Sequence, residues 1–171
     1  MKLVKLALIS LLFFFVMFTL IGLLFPSHIR VANSVVVNKD KDMVKRALQL
    51  NPGWASWFPP LQDNGQLADT DKDKAVIRTG DRELYIYDRA TDSNSVSFLM
   101  SGGGSVSEVK IMLLPINAGA SQTQVVWHET QRLKWYPWDR FKGLVLEKAK
   151  KNYLDTVLNR FKNYIDTAKN Y

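Results

Sequence analysis

The sequence predicts an α+β fold: one domain of antiparallel strands closed by a single long helix, carried behind an apolar N-terminal helix. Three observations predict it. Residues 6–25, LALISLLFFFVMFTLIGLLF, hold no charged side chain. Segments between residues 75 and 134 alternate apolar and polar residues at a period of two, with turn signals between them. From Pro137 to Asn170 the apolar residues recur at helical spacing.

The apolar run comes first. At about 1.5 Å per residue its length as a helix is roughly 30 Å, the thickness of a bilayer's hydrocarbon core. Its polar side chains, Ser10 and Thr19, can bond back to helix carbonyls. A cleaved signal peptide would be shorter and would end in small residues, whereas Leu23-Leu24-Phe25-Pro26 offers no such site. Residues 1–27 are therefore expected to form an uncleaved membrane anchor and residues 28–171 the domain. Lys2 and Lys5 precede the run and Arg30 follows it. That bias puts the N-terminus in the cytoplasm and the domain outside.

The 171 residues carry a net charge of +7 and no cysteine. Disulfides, cysteine nucleophiles, thiolate metal sites and acylated-cysteine anchoring are all excluded. About 145 residues beyond the anchor suit one core. Seven Lys or Arg fall between Lys142 and Lys169, against Glu147, Asp155 and Asp166. This reads as a solvated helix face, with attraction to anionic lipid as the alternative. No nucleic-acid-binding motif is present, and nucleic acid is not an expected partner.

The elements follow in order. Pro26 ends the anchor. Ile29 to Asn38 reads as a strand with Val31, Val35 and Val37 on one face. Asn38 to Leu50 reads as a helix capped by Asn38 or Asp40, and Asn51-Pro52-Gly53 breaks it. Trp54 and Trp57 share a face of a short helical turn that Pro59-Pro60 ends. Residues 62–74 read as a polar loop, because their aspartates lack the glycine and the terminal glutamate of a calcium loop. Strands are expected at 75–79, 82–90, 95–101, 106–114 and 121–134, with Gly80-Asp81 as a tight hairpin turn. In the second of these Leu84, Ile86 and Asp88 share a face. Gly102-Gly103-Gly104 lacks the Lys-Ser/Thr of a phosphate loop and leads into a strand, so it reads as a turn. The closing helix presents Leu146, Ala149, Tyr153, Leu154, Val157, Leu158, Phe161, Ile165 and Ala168 to the sheet.

Taken in this order the chain resembles the membrane-anchored bacterial members of the START-like, or SRPBCC (polyketide cyclase/dehydrase-like), superfamily. The residues that carry the resemblance are Phe25-Pro26-Ser27, the strand RVANSVVVN, Trp54-x-x-Trp57, Val125-x-Trp127, and a closing helix entered through Pro137 and Arg140. Where that family has Asn-Ala-Pro after the first strand, this chain has Asn38-Lys39-Asp40. The resemblance implies a helix-grip: a curved antiparallel sheet around the long C-terminal helix, with two short helices closing one end. It also implies a cavity for an apolar ligand between sheet and helix.

The chemistry-bearing residues are few. His28 and His128 are far apart, and no cofactor or metal is expected. Glu129 is the one acid/base candidate, sharing a strand face with Val125 and Trp127. In apolar surroundings it would be tuned as a general acid or base; otherwise it reaches water or pairs with an arginine such as Arg82 or Arg89. A ligand would be walled by Trp54, Trp57, Tyr85, Phe98, Met100, Trp127, Glu129, Val157 and Phe161. Three functions compete on these residues. They are a membrane-tethered binding module for an apolar or lipid-like small molecule, a cyclase- or dehydratase-type enzyme using Glu129 or Tyr85, and a non-catalytic interaction domain at the membrane surface.

Overall fold

The computed structural model describes residues 2–49, 52–62, 65–70, 74–116 and 121–167. The predicted Leu50, Asn51, turn 117–120 and helix end 168–170 lie outside them. The chain opens with helix α1, Lys2–Leu23, which is long and apolar enough to cross a membrane. Strand β1, His28–Val37, leads to helix α2, Lys41–Leu48. Asp40 is the cap of α2, its carboxylate accepting the Met43 amide at 2.8 Å. Short helical turns follow at Pro52–Ser56 and at α3, Pro59–Gln62. Pro59 and Pro60 therefore open a helix rather than end one: a first turn has no amide partners to lose.

Six further strands complete one sheet: β2 Gln66–Thr70, β3 Ala75–Thr79, β4 Arg82–Thr91, β5 Ser95–Gly102, β6 Ser105–Pro115 and β7 Thr123–Arg132. The order is β1-β7-β6-β5-β4-β3-β2, antiparallel throughout and curved. The long helix α4, Pro137–Thr167, lies in the concave face against β1.

Strand β2 falls in the polar stretch expected to be a loop. It carries no alternation because it is an edge strand, held by pairing to β3 and broken by a bulge between Leu67 and Asp69. A second bulge, between Tyr87 and Ala90, places Asp88 at a φ of 53°. It breaks the alternation expected of β4, so Leu84 and Ile86 face the core and Asp88 does not. Gly103 and Gly104, with φ of 60° and 77°, form the two-residue turn between β5 and β6.

Several charged residues of α4 bond to the rest of the domain rather than only to solvent. Asp155 accepts from Asn33, and Asp166 accepts the Asn38 amide at 2.9 Å. Lys162 donates to the Val36 carbonyl at 2.9 Å, and Arg160 to Gln62 at 2.6 Å. These bonds lash α4 to β1 and α3 from outside. Inside, Leu154, Val157, Leu158, Phe161 and Ile165 are buried, whereas Ala149 and Tyr153 are exposed. Replacing Phe161 by Ala should cost about 3–5 kcal/mol by leaving a cavity at the centre of the grip. A denaturation midpoint for Phe161→Ala within error of the parent chain would show that α4 is not held by this ring.

Candidate functional site

One half of the grip is filled by aromatic rings. Trp54 and Trp57 come from the turn before α3, Phe58 follows them, Phe98 and Trp127 come from the sheet, and Phe161 from α4; all are buried in one cluster with Val157. Trp54 lies against Trp57 at 4.9 Å with the rings tilted by 54°, and Trp57 meets Phe161 edge-on at 4.8 Å. Phe98 bridges Trp54 at 6.0 Å and Trp127 at 6.1 Å. These separations are within the range for favourable aromatic pairs. Five of the predicted wall residues are thus linked ring to ring, and a sixth, Val157, lies in the same cluster. The indole N–H groups of Trp54, Trp57 and Trp127 are buried without a hydrogen-bond partner among the described residues, an arrangement uncommon in folded proteins.

The other half of the concave face is polar. Strand alternation turns Ser107 of β6 and Glu129 and Gln131 of β7 inward, all buried. Glu129 is 5% exposed. It forms an ion pair with Lys150 of α4, which also donates to Ser107 at 3.1 Å. The partner is therefore a lysine from the helix, not Arg82 or Arg89. Sequence reasoning missed Lys150 because its neighbours Lys148 and Lys151 are exposed and the three read as one solvated run. A signal was present: Lys150 lies four residues before buried Leu154, on the stripe that faces the sheet.

Two open pockets share Gly103 in their linings, and Gln131 lines the second of them. One, of about 700 Å³, is lined by Pro60, Ile77, Thr79, Leu84 and Gly102. The other, of about 590 Å³, is lined by Ser105, Gln131, Leu133, Lys142 and Leu146. Met100, half-buried, sits on the inner face of β5 opposite Ser107. Of the predicted wall, Glu129 belongs to this end, Trp54, Trp57, Phe98, Trp127, Val157 and Phe161 belong to the filled half, and Met100 packs against that half from its edge.

Comparison with solved structures places this architecture. A START superfamily protein from Mycobacterium smegmatis superposes with a TM-score of 0.62 at 9% identity, over 80% of this chain and 97% of that one. The Zhui aromatase/cyclase of a Streptomyces species gives 0.57 at 16% identity, covering 81% and 94%. The di-domain aromatase/cyclase BexL gives 0.62 at 17%, covering 80% of this chain and 46% of its own. The fold is START-like. No family model matches the sequence, and the search of curated proteins returns no match. At these identities the likeness concerns fold alone.

Within the START-like grip, Tyr85 lies on the wrong face for a ligand wall. It sits between inward Leu84 and Ile86, opposite Val76 and Ser101, on the convex side. There its hydroxyl donates to Glu83, which also takes two bonds from Arg78 at 3.0 and 2.8 Å. The hydrogen bond to Glu83 raises the Tyr85 phenol above its ordinary value; the same bond, with help from Arg78, lowers the Glu83 carboxyl. His128 faces away from Glu129, as alternation requires, and the two form no dyad.

Two predictions follow from these contacts. Because Glu83 is lowered, the stability it contributes is present above the ordinary carboxylate range and is lost as pH falls through its lowered value. Because Tyr85 is raised, its contribution is present below the ordinary phenol range and is lost as pH rises through its raised value. Ultraviolet titration should therefore show one late-ionising tyrosine that moves to lower pH in Glu83→Gln; an unchanged titration would refute the bond. For the buried pair, Lys150→Met strands the Glu129 carboxylate and should cost about 3 kcal/mol, most of it recovered in the double variant Glu129→Leu/Lys150→Met. Additive denaturation shifts would show the pair to be energetically independent.

Proposed function

We propose that the protein is a membrane-tethered binding module, anchored through residues 1–27, whose domain 28–171 holds a small amphiphilic molecule between sheet and α4. The orientation with the N-terminus in the cytoplasm and the domain outside follows from the lysines before α1. One observation carries the reading: beyond the aromatic half the concave face holds buried Ser107, Glu129 and Gln131, and Gln131 lines an open pocket together with Leu133 and Leu146. Leu84 and Leu146, which line the two pockets, are only half-buried. Apolar walls with a few fixed polar groups are what a small-molecule pocket needs. The ligand expected is one with an apolar body and a single polar end, the latter directed to Lys150 and Gln131. The START-like fold, shared with a START superfamily protein and an aromatase/cyclase, supports a small-molecule ligand.

A cyclase- or dehydratase-type reaction would need Glu129 free to exchange a proton. Its ion pair with Lys150 favours a structural or ligand-orienting role instead.

The test is binding by the full chain in mild detergent, using a fluorescent fatty acid as probe and mass spectrometry of co-purified small molecules. Leu146→Trp and Leu84→Trp each fill one pocket and should weaken probe binding by about tenfold, equal to roughly 1.4 kcal/mol, with the melting temperature unchanged. Absence of saturable binding, together with no co-purified amphiphile, would overturn the proposal.

A further inference from the structure

The first turns of α4 carry an apolar surface that the sheet does not cover. Trp135 is 61% exposed, Trp138 53%, Leu144 54% and Val145 75%. Trp138, Phe141 and Val145 form one stripe at i, i+3 and i+7, away from the buried stripe begun by Gly143. Tyr136 stacks on Trp138 at 5.4 Å with an interplanar angle of 4°, and meets Trp135 at 4.8 Å with the rings tilted by 41°. Domains in water rarely leave such surfaces open, and Trp and Tyr gather where one end of a ring meets hydrocarbon and the other meets water.

The same end of α4 is fastened to α1. Gly22, buried, packs so closely on Pro137 that a Cβ there would fall 2.6 Å from the Pro137 Cβ and 2.8 Å from its Cα. Arg140 donates to the Phe25 carbonyl at 2.9 Å and reaches the Leu23 carbonyl at 3.5 Å, capping the end of α1. The Phe141 ring lies 4.8 Å from that of Phe25 and 6.5 Å from that of Phe18. Phe18 precedes the last residue of α1 by about 7.5 Å of helix rise. A span that places Phe18 in hydrocarbon therefore carries Phe141 to the same level.

We infer that the first turns of α4, with the Trp135–Trp138 turn, are immersed in the interface of the bilayer that α1 crosses. The occupant of this surface is lipid, because the patch is continuous with the lipid-facing surface of α1. The charges agree. Lys134 and Lys142 stand exposed at its border, and a groove lined by Arg30, Lys148 and Lys151, with Glu147, lies one to two turns further along α4. These cations fall at headgroup height, where anionic phosphates would meet them. The domain is thereby held in one orientation, and the pocket that includes Leu133, Lys142 and Leu146 opens beside the lipid surface. The inference rests on reading α1 as a span.

The chain has no cysteine, so single-cysteine variants can be spin-labelled at one position in the full chain, reconstituted in vesicles of phosphatidylcholine and phosphatidylglycerol. Labels at Val145→Cys and Leu144→Cys should collide with oxygen more often than with a water-soluble nickel chelate, as should Phe13→Cys within α1. Leu114→Cys, exposed at the far end of β6, should show the reverse. Water-like labels at Val145 and Leu144 with a lipid-like label at Phe13 would overturn the immersion and leave the span standing. A water-like Phe13 would overturn both. Dipolar broadening between labels at Val145 would show that a second copy of the chain covers the patch, and would equally overturn it.

Discussion

The contact between α4 and the concave face is made by Leu154, Val157, Leu158, Phe161 and Ile165, and the aromatic cluster that Phe161 joins decides where any open space can be. Trp57 against Phe161 joins the short helical turns to α4, and Phe98 joins both to the sheet through Trp54 and Trp127. Rings of this size bury large apolar areas at little cost in side-chain entropy. Their packing closes the centre of the grip, so the polar residues beyond them define the only kind of site that end can offer: one with fixed donors and acceptors beside half-buried leucines.

The Glu129–Lys150 pair illustrates how that polar end is held. Two charges leaving water cost several kcal/mol each, and their attraction returns this only when the remaining polar atoms are also satisfied. Ser107 takes part of that role for the lysine. Such pairs are weak contributors to stability but strong constraints on geometry, because removing one member strands the other. The pair joins α4 to β6 and β7, while the buried apolar face from Leu154 to Ile165 holds the helix to the core.

Helix α4 also serves a second partner. Its N-terminal turns meet α1 through Gly22, Pro137, Arg140 and Phe141, so the apolar helix joins the domain through a packed contact and not only through the chain at 24–27. The absence of a side chain at Gly22 is what lets the two helices approach so closely. One element therefore ties together the sheet, the polar end of the grip and the apolar helix.

Much of the architecture was legible from the sequence because it rests on local periodicity. The uncharged run 6–25, the period-two valines of β1 and the helical spacing of Leu154, Val157, Phe161 and Ile165 each report a burial pattern that any fold must respect. The Asp40 cap and the Gly103-Gly104 turn are local in the same sense. Edge strand β2 and the bulge at Asp88 were not legible, since one depends on a neighbour's unpaired edge and the other on a slip between strands. The site was legible only in part. Glu129 could be assigned an inward face by alternation, but its partner Lys150 lies on another element, and the choice of lysine over arginine was made by how α4 crosses β7. Likewise strand alternation and helical spacing put Phe98, Trp127 and Phe161 on inward faces, while the tertiary structure alone decided that they pack together with Trp54 and Trp57 and fill that part of the grip. Periodicity specifies which face of an element avoids water, whereas pairings between elements depend on distances that only the folded chain sets.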